Sequence, residues 1–402
     1  MRKICFSFLA LFLAIGLLAG FSYAQEEEKA VIDTISERIE LHGELKTGFW
    51  VDSVGRRGAP GRTEDTEIQL TNAALAIEAM VTDWMDVTVV PMFEVDEFFI
   101  DEGHVTIGPT DTIPVYFTGG LMYMPFGKRQ EYTHFPDDPL VNLPATLLFG
   151  EIWDPGAIAG ITKEIPFGAF THKFTLETFV LYPDVTDSSG KRQVDNFGFN
   201  ASVNISNEEC EFELGGSYIN NVLNSRGIKD YFADRLVHGL SYRGYEYRRL
   251  KGPAWDGEVR TERDVDGVAA YMKAEYRSFY LTAEYMGVTE DIKDFYHHGS
   301  AIPLYDTEGK ALHPHVWGVE VGAECPVYPV EAMFRYEGSI EAQPIYGIPR
   351  NRYAVGLNAN IFKYATWSLA YAYNDYDPDY DVGYGDDRTN RHLFFSQLAI
   401  EF

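Results

Sequence analysis

Eight glutamates, Glu177, Glu213, Glu275, Glu284, Glu320, Glu331, Glu337 and Glu401, fall in segments where apolar and polar residues alternate, each on the polar face. Lys173, Lys273 and Arg335 share that face with them. Carboxylates set round a channel favour cations and repel anions, and even those that only solvate the wall add to its net sign. A phosphate channel needs the reverse, a ladder of Arg and Lys, and the alternating segments offer none.

Three stretches between these segments carry further chemistry. Loop 125–155 holds Pro125, Phe126, Gly127, Lys128 and Arg129, then Asp137, Asp138 and Pro139, then Gly150, Glu151 and Trp153. Loops this long are functional or disordered, and the Pro, Phe and Trp content favours order. Such a loop either folds inward and narrows a lumen or faces outward as surface. Loop 221–263 is a basic island of nine Lys/Arg against six acids, with Arg243, Tyr245, Tyr247, Arg248 and Arg249 packed into SYRGYEYRRLKG. Arg and Tyr so interleaved can dock an anionic aromatic ligand by paired hydrogen bonds and stacking, or bridge the phosphates of lipopolysaccharide or a neighbouring subunit. His297, His298, His313 and His315 lie near Glu290, Asp291 and Asp294, but their spacing matches no tight ligand pattern, so no metal is assigned. Neither G-x-S-x-G, H-E-x-x-H nor a Gly-rich phosphate loop occurs, which argues against an enzyme and calls for no cofactor.

The elements that must position these residues are strands. Arg352–Phe362 puts Tyr353, Val355, Leu357, Ala359 and Ile361 on one face, with Arg352, Gly356, Asn358 and Asn360 on the other. A period of two over this length is a strand whose faces see different solvents. Crossing hydrocarbon takes about 9–11 residues, more than an ordinary globular strand. The pattern predicts strands at 39–50, 67–80, 85–95, 98–108, 113–124, 156–165, 171–183, 193–205, 209–220, 264–276, 278–290, 314–325, 330–341, 349–362, 364–376 and 389–402. Short turns alternate with mostly long loops, apart from a short exception at 96–97. The expected fold is all-β: a 16-stranded antiparallel transmembrane β-barrel with short periplasmic turns and long extracellular loops. Aromatics near strand ends, among them Phe49, Trp50, Tyr116, Tyr218, Tyr276, Phe279, Phe362 and Trp367, fit girdles at the two interfaces with lipid and lipopolysaccharide. Sixteen strands enclose a ring roughly 30 Å across, wider than wall side chains alone fill.

The first residues set the compartment. Arg2 and Lys3, an apolar run to Gly20 and Ser22-Tyr23-Ala24 read as a signal peptide over 1–24, followed by an acidic lead at 25–38 and the barrel at 39–402. The bacterial outer membrane is the expected destination. A net charge of -28 beside 46% hydrophobic residues rules out nucleic acid as a partner and a disordered acidic chain alike. Cys210 and Cys325 fall at the short-turn end three strand spacings apart, about 14 Å, too far for a disulfide.

Asp101–Gly127 (DEGHVTIGPTDTIPVYFTGGLMYMPFG), with DPL at Asp138–Leu140 and GE at Gly150–Glu151, resembles the LbtU-type siderophore porins. Leu121-Met122 departs from that family, which carries a polar or basic pair there. The resemblance implies an outer-membrane barrel that passes iron-siderophore without a plug domain. The likeness to phosphate-selective porins is more distant. A C-terminal strand ending on Phe402 resembles the signal read by the barrel-assembly machinery, and a homotrimer is expected only by analogy with other sixteen-stranded pores. The rival readings are a general cation-preferring diffusion pore and a structural or adhesive barrel.

Overall fold

The computed structural model describes residues 38–57, 61–94, 97–108, 113–128, 144–182, 194, 196–225, 227, 259–261, 264–292, 294–297, 300–303, 310–377 and 388–401. The expected signal peptide, nearly all of the acidic lead and Phe402 lie outside these residues.

The strands are β1 (Ile39–Arg56), β2 (Arg62–Thr82), β3 (Met85–Glu94), β4 (Glu97–Ile107), β5 (Val115–Tyr123), β6 (Trp153–Phe167), β7 (Phe170–Leu181), β8 (Asn196–Ser206), β9 (Cys210–Ile219), β10 (Val259–Thr261), β11 (Gly267–Tyr276), β12 (Phe279–Val288), β13 (Asp294–His297), β14 (Ser300–Pro303), β15 (His315–Glu324), β16 (Val330–Ile340), β17 (Asn351–Phe362), β18 (Ala365–Asp375) and β19 (Arg388–Glu401). Among the described residues, sixteen of them close into one antiparallel barrel, with β1 pairing both β2 and β19. The other three form a small separate sheet, β10-β13-β14, built from the segments expected as loops 221–263 and 291–313, where no strand was expected.

The barrel is inside-out relative to a soluble protein. On β17, Tyr353, Val355 and Leu357 are nearly half exposed, whereas Arg352 and Ala354 are 1% and 3% exposed. Phe174, Leu176, Phe197, Phe199, Phe334 and Phe394 extend that apolar outer surface around the ring. A contiguous apolar surface on this scale needs hydrocarbon against it.

Two expectations change. β1 and β2 run well past the predicted ends, so the connection read as 51–66 shrinks to a few residues. Trp50 and Tyr116 do not belong to a girdle. Trp50 pairs with Phe395, whose ring packs against inward Met333, Ala354 and Ala370, and the Tyr116 hydroxyl donates to Glu177 inside the barrel. Successive strand residues point to opposite faces, so Phe49 and Trp50 cannot both meet lipid.

Candidate functional site

The segment between β5 and β6 turns into the lumen. At the end of β5 the Met124 amide donates to the Ile152 carbonyl at 2.8 Å, closing the base of the excursion. The Gly127 amide then donates to Ser217 Oγ on β9 at 2.8 Å, and the Lys128 amide to Glu284 Oε1 on β12 at 2.7 Å. Lys128 Nζ reaches Glu213 Oε2 on β9 at 3.1 Å. A short helix, α1 (Ala145–Gly150), follows, and its first amide, that of Ala145, donates to Glu337 on β16. The helix packs against β12, β15 and β16, which are the sixth to eighth strands round the ring from β5. In a ring of sixteen that is the opposite wall, so the segment spans the lumen.

An apolar cluster holds it there. Phe126 and Phe149 pack with Met122, Met124, Met286 and Ile345, and the Phe149 and Tyr346 rings lie 4.7 Å apart. Tyr346 closes a second short helix, α2 (Gln343–Tyr346), which ends on Gly347 at φ 66°, a left-handed cap that favours glycine. Burial keeps the Tyr346 phenol protonated by raising its pKa. The approach is close: a Cβ on Gly150 would lie 2.3 Å from Met286 Sδ, and one on Gly127 would lie 2.1 Å from Met286 Cε. A side chain at either position would have to displace Met286, and Gly127 also holds a φ of 80° that favours glycine. The wall facing the segment is therefore apolar on its inner face too, at Phe179, Leu181, Ile219, Val288 and Val316. From the sequence, polar faces rich in carboxylates were expected around the lumen. Strand alternation cannot show that a loop covers the inner face, and a covered face takes core residues.

The strand-borne polar residues lie on inward-facing positions of the ring. Glu177 accepts from Tyr116 and from Asn200 Nδ2 at 2.9 Å. Glu275 sits 2.8 Å from Lys273 Nζ and lines the wall with Glu331. Glu320 and Arg335 form a fully buried pair, with Nη2 to Oε2 at 2.5 Å. Register also reveals bases that strand reading did not count. Arg352 Nε meets Glu337 Oε2 at 2.5 Å, Arg391 forks onto Asp52 with both bonds at 2.8 Å, and Lys46 reaches Glu44 at 3.1 Å. Arg352 on β17 and Arg391 on β19 thus join Arg335 on β16 among the inward bases, each paired with a carboxylate. The register of the consecutive strands β16 to β19 brings them to neighbouring levels of the wall.

Towards the short-turn end the lumen opens into two recesses that share Asn360 and Thr366. One, of about 860 Å³, is lined by His42, Glu44, Glu78, Glu102, His104 and Glu401. The other, of about 530 Å³, is lined by Lys273, Glu275, Glu320, Glu324 and Glu331.

Of the residues expected at the constriction, Pro125, Phe126, Gly127, Gly150 and Glu151 are buried in the inward segment, with Lys128 beside them. Arg129, Asp137, Asp138 and Pro139 lie outside the described residues, as do Arg243, Tyr245, Tyr247, Arg248, Arg249 and His298. His313 Nδ1 lies 3.0 Å from Asp291 Oδ1, and His315 Nδ1 lies 2.7 Å from the Tyr285 hydroxyl on the outer face. Cys210 and Cys325 are free thiols at the short-turn end, as their strand spacing required.

A closed sixteen-stranded antiparallel barrel with a segment folded across its interior is the architecture of the bacterial outer-membrane porins. OmpF of Salmonella typhi, solved with daunomycin, superposes with a TM-score of 0.52 at 7% identity, covering 90% of this chain and 97% of that one. An anion-selective porin from Comamonas acidovorans gives 0.51 at 10% identity, covering 90% and 99%. Among curated proteins the chain is similar to UPF0422 proteins of Legionella pneumophila. It is 23% identical over 330 residues to that of strain Philadelphia 1, covering 80% of this chain and 53% of that protein. The strain Paris protein is 23% identical over 297 residues, covering 72% and 47%. The chain spans about half the length of the curated relatives it matches. No protein-family model matches it.

Proposed function

We propose that the protein is a passive outer-membrane pore for small solutes, narrowed by the segment between β5 and β6. The observation that carries this reading is the set of contacts from Lys128 and Ala145 to Glu213 on β9 and to Glu284 and Glu337 on the far wall. A segment folded across the interior narrows the lumen, whereas a structural barrel needs no internal segment. The carboxylates of the two recesses outnumber Lys273 and Lys363 there, which supports a cation preference on the short-turn side.

Iron-siderophore is the proposed cargo within this reading, resting on the resemblance of Asp101–Gly127, Asp138–Leu140 and Gly150–Glu151 to the LbtU-type porins. A general cation-preferring pore is the second reading, favoured by the same acidic recesses. Planar bilayers containing the purified chain should show regular conductance steps and a reversal potential favouring potassium over chloride. A barrel that inserts without conductance is structural, and a chloride preference removes the carboxylate argument. Liposome uptake of ferric siderophores, with and without residues 221–263, separates dedicated cargo from general diffusion.

A further inference from the structure

At the short-turn end, one inward-facing row sets two like charges side by side. Glu324 ends β15 directly opposite Glu331 on β16, and Glu331 in turn stands opposite Asn358 on β17. The tight turn between β15 and β16 fixes that pairing, since the Cys325 amide donates to the Val330 carbonyl at 2.8 Å. Like charges directly opposite on neighbouring strands destabilise a sheet. All three side chains line the recess of about 530 Å³.

Asn358 is the member that the wall itself does not explain. It is 7% exposed, and its Oδ1 has no hydrogen-bond partner. A buried carbonyl oxygen left so is costly, and native proteins rarely keep one without an ion or water to meet it. The last torsion of an Asn side chain is soft, and turning it towards the recess breaks no bond to that oxygen.

We infer that Glu324, Glu331 and Asn358 form a binding site for a divalent cation of the calcium class. Two carboxylates and an amide oxygen are a hard, all-oxygen donor set, which calcium completes with water in a flexible geometry. Magnesium demands a tighter octahedron and sheds its water reluctantly, so this strand-borne set favours the larger ion. One divalent ion cancels the two opposed charges, whereas a monovalent ion leaves one of them. The bases nearby are each paired with a different carboxylate, Lys273 with Glu275 at 2.8 Å and Arg335 with Glu320 at 2.5 Å. A carboxylate has about four lone-pair positions, so a contact made along the wall does not exhaust it. Among the described residues no three of His, Cys, Asp and Glu gather closely enough to hold an ion, and here the amide supplies the third protein ligand. The inference goes beyond the pore reading and takes from it only that water reaches the recess.

Calcium chloride is the probe, titrated into the detergent-refolded chain free of lipopolysaccharide at constant ionic strength. Tm should rise saturably with a half-effect between about 0.1 and 1 mM calcium, the range of exposed extracellular sites. Magnesium chloride should act more weakly, and matched sodium chloride not at all. Glu331→Gln and Asn358→Leu should each raise the half-effect concentration by about tenfold or more, since even outer-shell partners of a metal are worth about that much. Asn358→Asp, which adds a charge at the same place, should lower it. Glu78→Gln in the other recess and Cys325→Ser beside Glu324 should leave it unchanged. Heat-modifiable gel mobility verifies that each variant barrel is folded. Absence of a calcium effect on Tm, an equal effect of magnesium, a half-effect unmoved by Glu331→Gln or Asn358→Leu, one not lowered by Asn358→Asp, or one shifted as far by Glu78→Gln or Cys325→Ser overturns the inference. Absence of conductance with the calcium response intact overturns the pore reading instead.

Discussion

Glu337 joins the wall to the inward segment: one carboxylate oxygen meets Arg352 Nε at 2.5 Å, and the other accepts from the Ala145 amide at the start of α1. Acid and guanidinium are both almost fully buried. A single side chain therefore satisfies a buried cation and positions the element that narrows the lumen.

Replacing Glu337 with Ala leaves the buried Arg352 without this carboxylate and releases the helix. The loss of stability should be about 3–5 kcal/mol, the cost of breaking a buried pair by removing one member. Urea unfolding of the refolded barrel measures it. Single-channel recordings of the same variant should show larger and noisier steps than the parent.

Gly150→Leu tests the apolar contact. Its Cβ alone would fall 2.3 Å from Met286 Sδ and 3.1 Å from Phe126 Cε1. Overpacking of this kind costs about 1–3 kcal/mol. The segment should lift from β12, and the exclusion size for neutral sugars in liposome swelling should rise. The double variant with Met286→Ala should recover much of the parent behaviour.

Lys128 tests the electrostatics of the passage. Its ammonium lies 3.1 Å from Glu213, and both side chains are close to nine-tenths buried. Lys128→Met removes the positive charge and leaves Glu213 facing the lumen. The reversal potential should move further towards potassium, and Glu213→Gln in the same chain should reverse that shift.

Cys325 offers a topological test. It is exposed in the turn between β15 and β16, and the Val327 and Tyr328 amides stabilise its thiolate, holding its pKa below the ordinary thiol value. Thiolate is the reactive form, so maleimide labelling should persist at a pH where an ordinary exposed thiol has become slow. Labelling from the periplasmic side but not on intact cells would fix the short turns in the periplasm. Labelling on intact cells would invert the barrel.

Much of the fold was legible in the sequence. The alternation in Arg352–Phe362 is local, and it places Tyr353, Val355 and Leu357 outward and Arg352 inward as read. Parity of the long and short connections gave the closed ring its strand count. The site was legible only in part. Pro125, Phe126, Gly127, Lys128, Gly150 and Glu151 were marked by the length and composition of their loop, but the sequence left open whether that loop folds in or out. The helix at Ala145–Gly150 carries no capping side chain to announce it, and its order comes from packing on Met286 and Tyr346.

What the sequence determined by itself was each strand's two faces, because side-chain alternation needs only neighbouring residues. Which polar groups meet was decided by the tertiary structure. Asp52 and Arg391 are 339 residues apart and are joined by the closure of β1 on β19. Ala145 and Glu337 are 192 apart and meet because the segment crosses the ring. Charge in the sequence sums to -28, but the lumen's local charge depends on register and closure, which place bases from distant strands beside those acids.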